Sequence, residues 1–247
     1  MRGLRQLTLV MVKLFLREPI STFFTLAFPP MLVLLFGSMY GNEPTPLFGG
    51  RGSMDVLMPA YTGLILGSVG FLSVPINTAG YREQGILRRF RASPMRPLTY
   101  ITADVLSNLL STVLGMVFLV LVGWLVYRVR LEGQFLNVVA AVLLGALSMF
   151  AIGYLIASLA PGARVGQIVG MVIFYPMMFL SGAGMPIELL PESIQRVSSF
   201  LPLTYVVRLV KGMWFGEAWG AHLTEVAVLG GILVVCAVLD ARLFRWE

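Results

Sequence analysis

The sequence predicts an all-α integral membrane protein: six transmembrane helices, an N-terminal interfacial amphipathic helix, a short cytoplasmic helix, and a re-entrant helical hairpin between spans five and six. Three observations predict it. Of 247 residues, 57% are apolar and 12% charged, about half the charged share of a soluble domain. Five stretches of at least 23 residues lack Asp, Glu, Lys and Arg: 19–42, 56–81, 105–127, 133–163 and 165–187. A helix crossing the hydrocarbon core needs about 20. The third observation is where the basic residues fall. With six spans, twelve of the Lys and Arg lie on the side of the termini and six on the other, which puts both termini in the cytoplasm of a cell (inner or plasma) membrane protein.

The same counts exclude other classes. A soluble globule cannot hide this much apolar surface, and disorder is excluded for the same reason. One cysteine, Cys236, allows no intrachain disulfide, and one histidine, His222, excludes zinc sites built on several His or Cys ligands. The net charge of +6 belongs to membrane anchoring. No Arg–aromatic interleaving on a soluble face speaks for nucleic acid.

Along the chain, residues 1–18 read as a helix lying in the interface. Arg5, Lys13 and Arg17 share one stripe and Leu4, Leu7, Met11 and Leu14 another, and Glu18-Pro19 offers a break before the first span, 19–42. A turn-rich link, 41–55, carries Pro44, Pro46, Gly49, Gly50 and Gly52. The second span covers 56–81. The third, 105–127, ends on Trp124 and Tyr127, rings that favour the interface. The fourth and fifth are placed at 135–160 and 165–183. Residues 226–239 are too short for the sixth, so it extends back to give 218–240, taking in His222 and Glu225. The chain reads as one domain over 1–247.

Two segments stand out. In 81–97, YREQGILRRFRASPMRP, the apolar Ile86, Leu87 and Phe90 share a face of a short helix, with Arg88, Arg89 and Arg91 around it and Pro94 and Pro97 as stops. The apolar face must meet lipid or another protein, and a plain loop anchored by arginines is the alternative. In 184–212, Gly182, Gly184 and Pro186 break the fifth helix, Pro191-Glu192-Ser193 starts a new one, and Pro202 breaks it again. This reads as a re-entrant hairpin dipping into the outer leaflet, tolerated at depth where protein covers it, with an ordinary outer amphipathic loop as the alternative. Glu225 is expected to steady the hairpin by pairing with Arg208 or Lys211.

These residues carry a resemblance. Glu83-x-Gly85-x-Leu87-x-x-Phe90-x-x-Ser93-Pro94 resembles the cytoplasmic loop of ABC-2 type transporter permeases, and Ser181-Gly182-x-x-x-Pro186-x-x-x-x-Pro191 with Pro202-Leu203-Thr204-Tyr205 is similar to that family's segment between spans five and six. Ile86 stands where the family often has Thr, and Phe90 where it often has Leu. The resemblance implies a permease subunit of an ATP-driven exporter, with 83–94 as a coupling helix docked in a groove of a separate ATPase. Glu83, Gly85, Ile86, Leu87, Arg88, Phe90 and Arg91 would make that contact, Gly85 by allowing close backbone approach. It further implies two ATPase copies, a second permease subunit as a homodimer, and a substrate path at the dimer interface involving spans two and five. Phe71, Phe174, Tyr175 and Met178 are candidates for that path, suited to a hydrophobic or amphipathic cargo. Gly182, Pro186, Pro191, Pro202 and Glu225 mark the hairpin.

No cofactor or metal is expected on this chain; ATP and Mg belong to the partner. A Walker A loop needs Lys followed by Ser or Thr. Here Lys13 precedes Leu14 and Lys211 precedes Gly212, so the chain is not expected to be an enzyme. Export of polysaccharide or lipid-linked glycan is the nearest alternative. An ion-coupled transporter would want charge at the midplane, whereas Asp104 and Glu225 sit near span ends. An intramembrane protease would need Gly-x-Ser-Gly with a His base, and Phe179 occupies the glycine position before Ser181-Gly182.

Overall fold

The computed structural model describes residues 2–46, 50–86, 97–184, 187 and 190–243. The helices are α1 (Arg2–Phe15), α2 (Pro19–Tyr40), α3 (Ser53–Glu83), α4 (Pro97–Tyr127), α5 (Phe135–Leu159), α6 (Ala163–Leu180), α7 (Glu192–Ser198), α8 (Pro202–Trp214) and α9 (Leu223–Leu243), the last entered through a tight turn at Trp219–His222. Among the described residues six helices are long and apolar enough to cross a membrane: α2, α3, α4 from Ile101 onward, α5, α6, and α9 with its lead-in turn. A two-stranded ribbon, β1 (Pro44–Thr45) with β2 (Arg51–Gly52), occupies the link between α2 and α3.

Glu18 separates α1 from α2 by capping. Its carboxylate accepts from the Ser21 amide at 2.6 Å and the Ile20 amide at 3.3 Å, with Pro19 in the first turn where no N–H is needed. Within α2 and α3 the backbone widens into π-type turns at Phe23–Ala27 and Val69–Ser73. Each lies just ahead of proline: Pro29 and Pro30 in one case, Pro75 in the other. A proline cannot donate to the carbonyl four residues back and its ring crowds that carbonyl. Those carbonyls belong to Thr25, Leu26 and Phe71, all inside the widened turns.

The axis of the bundle is α3, enclosed by the other helices along its most apolar stretch. Lipid gives helices little hydrophobic reason to associate, so close backbone approach through small residues matters most. A side chain added at Gly170 of α6 would overlap the Phe71 carbonyl oxygen, and one at Gly153 of α5 the Gly70 carbonyl oxygen. At Gly115 of α4 a Cβ would stand 2.7 Å from the Thr25 carbonyl. Two of the three carbonyls that face a proline four residues on are thus met by glycines from neighbouring helices.

Helix α8 lies against this axis. A Cβ at Gly63 would be 2.6 Å from Val207, and one at Gly67 3.2 Å from Leu203, so α8 runs antiparallel to α3, with Leu203 beside the middle of that helix. The other end of α8 is tied to the α4–α5 link, where the Gly133 amide donates to the Trp214 carbonyl at 2.7 Å. On the same side Asn42 accepts from the Met54 and Asp55 amides and donates to the Tyr127 carbonyl, and Arg51 stacks on Phe215 while pairing with Glu132 at 3.5 Å.

Along α4 lies α1, where Leu4, Leu7 and Met11 pack with Ala103 and Tyr81. Leu14 leaves the expected stripe. It is exposed, and Phe15 is buried in its place, because the helix ends there and turns its last residue inward.

Candidate functional site

The segment expected to meet a partner begins where α3 ends. Gln84 closes the helix, and Gly85 turns out of it with φ of +68°, a left-handed conformation that an L side chain resists. Its amide donates to the Arg82 carbonyl at 2.9 Å. A Cβ there would meet nothing within 4 Å, so among the described residues Gly85 serves the turn and not a close approach. Ile86 is half-buried. Leu87, Arg88, Phe90 and Arg91 lie outside the described residues.

The last two charged residues of α3 reach a second place, the α5–α6 turn. The Arg82 guanidinium donates to the carbonyls of Ala157, at 3.1 Å, and Ala160, a cation at the negative end of α5. Next to it the Glu83 carboxylate accepts from the Ala163 amide at 2.9 Å, an anion at the positive start of α6. A Cβ on the intervening Gly162 would stand 2.7 Å from that carboxylate. One dipeptide therefore grips the end of one span and the beginning of the next. Sequence reasoning named Glu83 for partner contact and passed over Arg82, whose adjacency to Glu83 was the available signal.

The path candidates lie inside the bundle. Phe71 and Phe174 are fully buried, Met178 is buried and Tyr175 half-buried. Phe24 of α2 packs edge-on against Phe174 and Tyr175, with ring centroids 6.1 and 5.6 Å away. The face that α6 turns outward carries Val165, Ile168, Val172 and Phe179 instead.

In the hairpin, Gly182 has φ of +85°, Pro191 precedes α7 and Pro202 opens α8; Pro186 lies outside the described residues. Polar groups are used on the corner itself. The Thr204 hydroxyl donates to the Ser198 carbonyl and the Tyr205 hydroxyl to the Ser199 carbonyl, both at 2.7 Å. The Glu225 carboxylate lies 3.7 Å from Nδ1 of His222, whose Nε2 is 2.8 Å from Glu217. Among the described residues Glu225 thus meets the ring of His222, not Arg208 or Lys211. That ring fills the space over Gly212 of α8, so His222 stands between hairpin and last span.

Five apolar helices around a sixth that forms the enclosed axis, with a charged joint at the end of that axis, define a multi-pass membrane protein. The chain belongs to the ABC-2 type transporter family, whose family model matches residues 2–215. It is 26% identical over 230 residues to a daunorubicin resistance ABC transporter permease protein, DrrB1, of Streptomyces coeruleorubidus, a match covering 89% of this chain and 76% of that one. It is 28% identical over 139 residues to nodulation protein J of Rhizobium leguminosarum bv. viciae, covering 50% and 54%. It is 25% identical over 222 residues to the inner membrane transport permease YhhJ of Escherichia coli, covering 84% and 59%. The last two matches span little more than half of those relatives. The chain is a transmembrane subunit of an ABC transporter, and its family works with an ABC ATPase subunit.

Proposed function

We propose that this subunit is the permease of an ATP-driven exporter that moves a hydrophobic or amphipathic molecule, drug-like or lipid, out of the cytoplasm or the inner leaflet. It works as a homodimer with two ATPase subunits that hold ATP and Mg, in the cell membrane, with both termini in the cytoplasm. The observation that carries this reading is the Arg82–Glu83 joint. Segment 83–94 is the ATPase contact. A pull on it reaches α5 through Arg82 and α6 through Glu83, and α6 is the helix whose outward apolar face suits a second subunit. The daunorubicin resistance in the Streptomyces relative's name supports a small-molecule cargo.

In this mechanism α6 parts from α2 and α3, uncovering Phe71, Phe174, Tyr175 and Met178 between the two subunits. The α7–α8 hairpin re-enters the outer leaflet as a plug, which the packing of Leu203 at the middle of α3 supports. The amphipathic α1 lies in the cytoplasmic interface. Transport into inside-out vesicles, driven either by ATP or by an ion gradient, tests the reading. Uptake with ATP alone is expected. Uptake driven by a gradient with no ATPase present would contradict it.

A further inference from the structure

A cavity of about 400 Å³ lies where α4, α5 and α9 meet beside α3. Its wall is mostly apolar, with Val105, Phe150 and Ala237 among the lining residues, but Asp240, Tyr154 and Thr78 also face it. It opens sideways, since Ala237 and Ala241 are on the exposed face of α9 and Ile101 of α4 is exposed.

Two carboxylates sit at this junction. The Tyr154 hydroxyl donates to Asp104 and, one turn on, the Ser158 hydroxyl donates to Asp240, both at 2.5 Å. Asn108 approaches Asp104 at 3.4 Å. Neither acid forms an ion pair among the described residues. Arg82, one turn beyond Thr78, is turned to the α5 carbonyls. An independent sign comes from Thr78. It is 2% exposed, it lines the cavity, and its hydroxyl has no hydrogen-bond partner among the described residues. Buried hydroxyls are ordinarily satisfied.

We infer that this cavity is a binding site for an amphiphilic ammonium, its amine held by Asp240 and Thr78 and its chain lying along the apolar wall. The site is separate from the dimer-interface path and does not depend on the direction of transport. Both a free alkylamine and the amine headgroup of a phospholipid carry this chemistry.

The test uses the complete transporter in phosphatidylcholine nanodiscs without ATP, so that its failure leaves the exporter reading untouched. An environment-sensitive fluorophore on Ala241→Cys, in a Cys236→Ser background, reports occupancy of the mouth. Dodecylamine is expected to give a saturable response and dodecanol one at least about tenfold weaker, the scale of a hydrogen bond to a charged group. Asp240→Asn should remove that preference, and Ala237→Trp, which fills the mouth, should remove binding of both. Phosphatidylethanolamine that competes with dodecylamine assigns the site to a lipid headgroup; absence of competition assigns it to a free amine. Equal responses to dodecylamine and dodecanol, or unchanged affinity in both variants, would overturn the proposal.

Discussion

The Glu83 carboxylate accepts the Ala163 amide at 2.9 Å, so the last turn of α3 holds the first turn of α6. Glu83 also begins the segment proposed to meet the ATPase, so the bond lies where that segment joins the bundle. Losing it should free the start of α6 without disturbing the rest of the bundle. We expect Glu83→Ala to cost about 1 kcal/mol locally, as capping losses do, and Glu83→Gln to cost less because its amide oxygen still accepts. Hydrogen exchange at residues 163–166 checks this. Faster exchange there, with α5 unchanged, is the expected pattern; unchanged exchange in Glu83→Ala would mean that the bond carries no strain between the helices.

Gly170 and Phe71 set the closest approach of α6 to the axis. Gly170→Ala forces a methyl against the Phe71 carbonyl oxygen and should cost about 1–3 kcal/mol, the range for overpacking. Gly230→Ala, in α9, meets nothing within 4 Å and should be neutral or slightly stabilising. Thermal unfolding in detergent separates the two. Equal melting temperatures would show that α6 does not approach α3 this closely.

The spans were legible because lipid tolerates few charges, so charge-free runs mark helices directly. Asp104 shows the limit of that reading. It bounds the third uncharged run, yet the helix passes through it from Pro97, and the residue is 4% exposed because Tyr154 and Asn108 bond to it. The corner at Pro202 was marked by residue type, whereas Gly85, read as permitting close approach, instead makes the turn that ends α3. The grip of Arg82 and Glu83 on the α5–α6 turn was not legible, since it depends on where a turn some 75 residues later arrives. For Glu225, Arg208 and Lys211 were weighed by charge, while the neighbour found among the described residues is His222, three residues away on the same helical face.

His222 joins the hairpin to the last span, so removing it should loosen both. Glu225→Gln and His222→Ala should each lower thermal stability, and the double variant should lose less than their sum, since residues in contact couple. Strict additivity would show that the 3.7 Å approach contributes nothing.

Orientation is open to thiol labelling. In a Cys236→Ser background, single cysteines at the exposed Glu43 and Ser193 should react with an impermeant reagent on intact cells, and one at the exposed Gln84 should not. Ser53, at the start of α3, is buried and would label poorly from either side. Labelling of Gln84→Cys from outside would invert the topology.

ATP hydrolysis by the complete complex in nanodiscs, carrying the double change Leu87→Asp with Phe90→Asp, tests most directly whether segment 83–94 couples this permease to its ATPase. Each of these side chains, if enclosed by a partner groove, contributes about 1.5–3 kcal/mol. The double variant is expected to insert but to lose the ATPase on purification, or to lose cargo-stimulated hydrolysis. Retention of both ATPase binding and coupled transport would contradict this.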